Sequence, residues 1–191
     1  MNINLVILGL IAPPNLRGFY PIAERIYLAV RSLPVVIYQT VFPTVCQLAE
    51  GSFEKLLLFY SGLLRVIVTL LIPIGLVLFG LADWLIWIFV GESVSQAALL
   101  LKVISFGPLI AALNIPACQT FLAFNHNLGY LKVAVIGAGF NLLVNILLVP
   151  QWMHLGSAIC LVLTETFVTI YLYYYLHRHY RSISVFGIFS I

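Results

Sequence analysis

The chain reads as an all-α, polytopic membrane helix bundle of about six transmembrane helices, each needing about 20 mostly apolar residues. Three observations predict this. Hydrophobic residues make up 63% of the sequence and the mean hydropathy is +1.12. Asp, Glu, Lys and Arg together make up only 8%, where a soluble domain carries about 25% and needs them to cover its surface. Four stretches, 32–49, 66–82, 103–125 and 133–153, contain no Asp, Glu, Lys, Arg or His. With their flanks, rising about 1.5 Å per residue, they match a hydrocarbon core about 30 Å thick. A chain this short cannot bury so many apolar helices inside a soluble core. A transmembrane barrel would show strands alternating in facing over about ten residues, and these runs are continuous.

The first segment covers residues 2–12 and is stopped by Pro13-Pro14, since successive prolines remove backbone donors and push the preceding residue out of the helical region. It has no basic residues ahead of its apolar run and so lacks the form of a signal peptide. At about 18 Å it is short of a full crossing and reads as the tail of a helix. The second segment runs from about Phe19 to Cys46 or Leu48 and holds Glu24, Arg25 and Arg31. A polar connection follows from Gln47 to Lys55. The third segment, Leu56 to Val90, is too long for one straight crossing, so a spanning helix is expected to about Phe79, then a short amphipathic extension whose Trp84 and Trp87 suit an aromatic belt. The fourth runs from Gln96 to Phe124 with bends expected at Pro108 and Pro116. The fifth, Leu131 to Val149, ends at Pro150, and its Gly137, Gly139, Asn141 and Asn145 suit close helix contacts. The sixth runs from Leu155 to Leu176. The bundle is expected over 1–181, with a short cytoplasmic tail over 182–191.

Basic residues set the orientation. Lys55, Lys132, Arg178 and Arg181 follow even-numbered helices, and Arg65 lies nearer the same side; the opposite side has Arg17, Lys102 and Glu92. The positive-inside rule therefore places the C-terminus in the cytoplasm.

Charges inside apolar segments are the candidate functional residues. Glu24 and Arg31 are two helical turns apart and share a face, with Arg25 about 100° away from Glu24. Placed against lipid each would cost several kcal/mol, so the face should meet a cavity or partner helix; Glu24 and Arg25, near the helix start, can also snorkel to the headgroups. Glu165, in the middle of the sixth helix, is either a cation or proton site or the counter-charge of Arg31 or Lys102. Gln39, Asn114, Gln119, Asn141 and Asn145 extend a polar lining or act as packing glue. The tyrosines of 20–27 and 171–175 read as interfacial anchors.

Other chemistry is excluded. Cys46, Cys118 and Cys160 lie in three separate apolar segments with no CxxC, which argues for packing residues rather than a disulfide framework. His126, His154, His177 and His179 have no cysteine or carboxylate at ligand spacing, so no metal site is expected. No GxGxxG, Walker lysine loop or GxSxG occurs, and no cofactor is implied. The net charge of +3, borne singly near helix ends, carries no nucleic-acid signal. A membrane polymerase or ligase would need large extramembrane loops, and no connection here much exceeds about ten residues; the chain is not expected to be an enzyme.

The segment Gly18-Phe-Tyr-Pro-Ile-Ala-Glu-Arg-Ile26, followed by Leu33-Pro34 and Val41-Phe-Pro-Thr44, resembles the bacterial polysaccharide flippases, the O-antigen and exopolysaccharide transporters of the multidrug/oligosaccharidyl-lipid/polysaccharide exporter superfamily. The Gly129 turn, the small-residue helix from Gly137 to Asn145 with Pro150, and Gly156 at the next helix are also similar. The resemblance covers residues 2–180 and matches only the C-terminal lobe of a two-lobed exporter. It implies translocation of an undecaprenyl-pyrophosphate-linked oligosaccharide across the cytoplasmic membrane, with membrane lipid and a missing N-terminal lobe as partners. By the same resemblance Arg25, Arg31 and Lys102 are anion contacts, and Glu24 and Glu165 are ion-coupling groups. A multidrug or small-molecule exporter of the same architecture and an inactive structural remnant are the competing expectations.

Overall fold

The computed structural model describes residues 19–51, 53–91 and 94–179, and every element among them is helical. The elements are α1 (Phe19–Gly51), α2 (Phe53–Gly80), α3 (Ala82–Val90), α4 (Ser95–Ile104), α5 (Gly107–Ala123) and α6 (Asn127–His179). The first apolar segment and the tail lie outside the described residues. Among the described residues four helical stretches are long and apolar enough to cross a membrane: Tyr20–Gly51, Glu54–Gly80, Ser95–Ala123 and Asn127–Leu176. The protein is a multi-pass membrane helix bundle.

The breaks between elements have local causes. Proline cannot donate and its ring clashes with the carbonyl four residues back. For Pro108 that residue is Ile104, where α4 stops, and Pro108 then sits in the first turn of α5 where its missing donor costs nothing. At the other end of α5, Asn125 adopts φ 54°. The His126 amide donates to the Phe121 carbonyl at 2.8 Å and the Asn125 amide to Leu122 at 3.1 Å, which is a Schellman cap with asparagine in the usual glycine place. Gly91 closes α3 in the same left-handed region at φ 79°.

α6 is a hairpin. Met153, at φ 46° and ψ −121°, interrupts its 53 residues. The two arms then run antiparallel: Phe140 stacks on Phe167 with centroids 4.1 Å apart, and Asn141 donates to Thr164 at 2.9 Å. Nearer the tip, Asn145 donates to the Cys160 thiol at 3.0 Å. Beside the tip, a Cβ on Gly156 would lie 2.5 Å from the Leu148 carbonyl oxygen, so only glycine permits the arms to close there. Three expectations are corrected. Pro150 does not end its helix, which continues to Trp152. α1 continues past Leu48 to Gly51, so the stretch 47–55 is mostly helix rather than a polar loop. Tyr20 and Tyr27 are not interfacial anchors but buried core residues, 0% and 1% exposed.

Three clusters order the bundle by depth. At one end Tyr20, Ala23, Ala82, Ile86, Val149 and Ala158 pack together, uniting the start of α1, α3 and the hairpin tip. In the middle Tyr38, Ile67, Ala112, Phe121 and Leu172 join α1, α2, α5 and the second arm of α6. At the far end Val45, Leu56 and Tyr60 pack with Ala123 and Phe124. Trp84, Trp87 and Trp152, each more than half exposed, therefore share the first end. Exposed Lys55, Lys132 and Arg178 share the other. Large apolar side chains such as Val66, Phe89, Val135 and Ile146 point outward, as they do where lipid is the solvent.

Candidate functional site

Two side chains one helical turn apart on α1 begin the site, because residues i and i+4 share a face. Tyr27 is buried, and Arg31 lies beside it with its guanidinium 6.0 Å from the ring centroid. The second arm of α6 supplies Glu165, and Arg31 Nη2 lies 2.8 Å from Glu165 Oε1. α5 supplies Asn114, whose Nδ2 donates to Glu165 Oε2 at 2.9 Å. The Tyr27 hydroxyl reaches Glu165 Oε1 at 3.5 Å. One carboxylate thus collects three donors from two other helices, the arrangement that lets a charged group persist away from water. Glu165 is about 18 Å from the hairpin tip at 1.5 Å per residue, midway along its arm.

A cavity of about 510 Å³ opens over this network, with Arg31, Asn114, Glu165, Asn141, Thr164 and Tyr130 on its polar wall. Its volume lies in the range of small-molecule sites. The rest of the wall includes Ala134, Gly137 and Ala138, small residues that leave room beside the first arm of α6. The partners of the pair are unequally covered: Arg31 is 40% exposed and Glu165 14%. A guanidinium has five N–H donors, so Arg31 keeps donors for the cavity while Glu165 is held from behind by Asn114 and Tyr27. The arrangement can contact an anion without leaving the carboxylate unsupported.

The other sequence-predicted residues lie elsewhere. Glu24 is buried on the inner stripe of α1, 3% exposed, and is not part of the cavity wall. Arg25 is exposed on the outer side of α1. Lys102 pairs with Asp83 at 2.7 Å, joining α4 to α3, so the counter-charge of Glu165 is Arg31. Of the polar residues, Asn114, Asn141 and Arg31 line the cavity, Gln119 donates to the Tyr38 carbonyl at 2.7 Å, and Gln39 is exposed. Among the described residues no group of three or more His, Cys, Asp or Glu side chains is placed to hold a metal ion. Tyr27 is the member of this network that sequence reasoning missed; its spacing of four from Arg31 was the available signal.

No protein-family model matches the chain, and no solved structure is significantly similar to it. Over 166 residues, 86% of the chain, it is 26% identical to an Escherichia coli (strain K12) protein described as "Putative O-antigen transporter". The match covers 40% of that protein's length, so the chain spans well under half of its relative. The similarity is distant and partial, and it agrees with a general transport role for a polytopic helix bundle.

Proposed function

We propose that this chain works as one lobe of a flippase that moves an undecaprenyl-pyrophosphate-linked oligosaccharide from the cytoplasmic to the outer leaflet of a bacterial inner membrane. The observation that carries the reading is a half-exposed guanidinium at mid-depth, facing a cavity, whose counter-charge is independently held. The distant likeness to the Escherichia coli protein agrees with it. In this reading the basic end lies at the cytoplasm, by the positive-inside rule, and the tryptophan end faces outward. Arg31 meets the pyrophosphate, while the sugar-bearing head group passes the lobe and the lipid tail stays in hydrocarbon. Glu165 is the coupling group: neutralised by a proton or satisfied by a cation, it releases Arg31 to the substrate. No covalent bond changes, so the work is conformational, and the bend between α4 and α5 is a place where it can occur.

The test is binding of undecaprenyl diphosphate to the full chain in lipid nanodiscs, with undecaprenyl monophosphate as comparison. The diphosphate is expected to bind, and Arg31→Glu to weaken it at least about tenfold by placing like charge against it. Equal affinity in wild type and Arg31→Glu would remove Arg31 from the mechanism. Transport itself is read by expressing the chain with the remaining portion of the Escherichia coli relative in a strain lacking that relative. Restored surface O-antigen supports the reading, and accumulation of the unflipped lipid-linked sugar refutes it.

A further inference from the structure

Tyr27 touches everything that fixes Arg31. Its ring lies under the guanidinium, 6.0 Å from centroid to carbon, at the limit of a favourable cation–π contact. Its hydroxyl reaches the carboxylate that pairs with Arg31. One edge of the ring rests on α5: a Cβ built on Gly107 would lie 2.7 Å from Tyr27 Cε2, closer than real Cβ contacts come. Gly107 is the first residue of α5, immediately after the break in which α4 stops at Ile104. The residue before it, Phe106, reaches across to α2, where a Cβ on Gly75 would lie 3.0 Å from Phe106 Cδ1. The α4–α5 joint therefore lies between Tyr27, which rests on its Gly107, and α2, whose Gly75 receives Phe106. Packed interiors transmit such displacements because there is no free volume to absorb them.

We infer that Tyr27 is a positioning residue: it seats on Gly107 and sets the place of the Arg31 guanidinium, so that movement at the α4–α5 joint is felt at the Arg31–Glu165 pair. This deepens the transport reading and rests on it for its functional meaning, but the geometry it asserts can be tested without any substrate. Gly107 is well suited to the role because its nearest neighbours are Tyr27 and Leu161, not Arg31. A methyl there would crowd only the Tyr27 ring, since Leu161 Cδ2 at 3.6 Å is at ordinary contact distance, so an effect of residue 107 on Arg31 is expected to pass through the ring.

The experiment uses the full chain, labelled with ¹⁵N-arginine and held in detergent micelles, with the Arg31 side-chain resonance assigned by its loss in Arg31→Gln. An aromatic ring beneath a guanidinium displaces its resonance by ring current. Tyr27→Leu is expected to abolish that displacement, and Tyr27→Phe to preserve most of it. Gly107→Ala is expected to move the Arg31 resonance as well, and to do nothing further to it in a Tyr27→Leu background. An Arg31 resonance unmoved by Gly107→Ala, in a chain whose other arginine resonances show it folded, overturns the inference. If Gly107→Ala does not fold, Tyr27→Phe decides: loss of the displacement there, with the ring retained, overturns it equally. The same variants are then read for undecaprenyl diphosphate binding, with Gly107→Ala expected to weaken it about five- to tenfold and Tyr27→Phe less than about twofold, through the same ring contact. Failure of the wild-type chain to bind the diphosphate refutes the transport reading and leaves the resonance result to decide the positioning role.

Discussion

The unequal burial of Arg31 and Glu165 makes the two halves of the pair unequal in stability. Removing one partner of a buried pair costs about 3–5 kcal/mol, because the remaining charge is stranded. Arg31→Gln strands Glu165, which is only 14% exposed but retains Asn114 and Tyr27 as donors; that support trims the expected loss to about 2–4 kcal/mol. Glu165→Gln strands Arg31, which at 40% exposure is reached by cavity water, so the expected loss is about 1–2 kcal/mol. In the double variant two amides can pair without a charge to desolvate, and the loss returns to about 1 kcal/mol or less. The assay is denaturant or SDS titration of the purified chain in micelles, followed by tryptophan fluorescence. Strictly additive losses, or a larger loss from Glu165→Gln than from Arg31→Gln, would refute the account of the site as a pair with a buried carboxylate and a wetted guanidinium.

Other consequences follow from the packing. Gly156→Ala is expected to cost about 3 kcal/mol or to prevent folding, because the new methyl meets the Leu148 backbone rather than a flexible side chain. Gly139→Ala, where nothing lies within 4 Å, should be neutral or stabilising by up to about 1 kcal/mol in the same titration. Asn145→Leu removes the bonds to Asn141 and Cys160 and should weaken the bundle by about 1–2 kcal/mol, the scale of interhelical polar contacts in membranes. Lys102→Gln loses an ion pair whose acidic member is 67% exposed and should cost no more than about 1 kcal/mol, less in high salt. Quenching by brominated lipids is expected to place Trp84, Trp87 and Trp152 at one common shallow depth, and quenching from the bilayer centre would contradict the order of the bundle.

Much of the bundle was legible because the hydrocarbon imposes a length and forbids unpaired charge. The uncharged stretch 66–82 lies within α2 and the start of α3, and 133–153 corresponds to the first arm of the hairpin. The break near Pro108 followed from proline chemistry. The same chemistry misled at Pro150, because a proline inside a membrane helix removes one hydrogen bond without ending the helix; the turn instead fell at Met153, whose left-handed φ has no sequence signature. The stretch 47–55 looked like a loop by polarity, yet polarity there reflects two helices projecting toward the headgroups. In the site, periodicity related Glu24 to Arg31, but which helix would bring Arg31 a partner is a tertiary fact. Sequence allowed Arg31 or Lys102 as partner for Glu165, and the tertiary placement of Arg31 against Glu165 and of Asp83 against Lys102 separates them. The tyrosines were misread for a related reason: a residue near a helix start faces the headgroups or the core according to the helix's rotation, which composition does not record.

The hairpin of α6 bears on how the chain reaches the membrane in the first place. Its first arm carries Asn141 and Asn145, and its second carries Thr164 and Glu165, so neither is a comfortable solitary passenger in lipid. Folded back on each other, the two arms bind Asn141 to Thr164 and Asn145 to Cys160, covering most of that polarity between them. The glycine that lets them close sits three residues after the turn, where the second arm has only begun to emerge. Partition into the bilayer as a pre-paired unit then leaves Glu165 alone to find Arg31 and Asn114, and the second arm becomes the one that ties the earlier helices together.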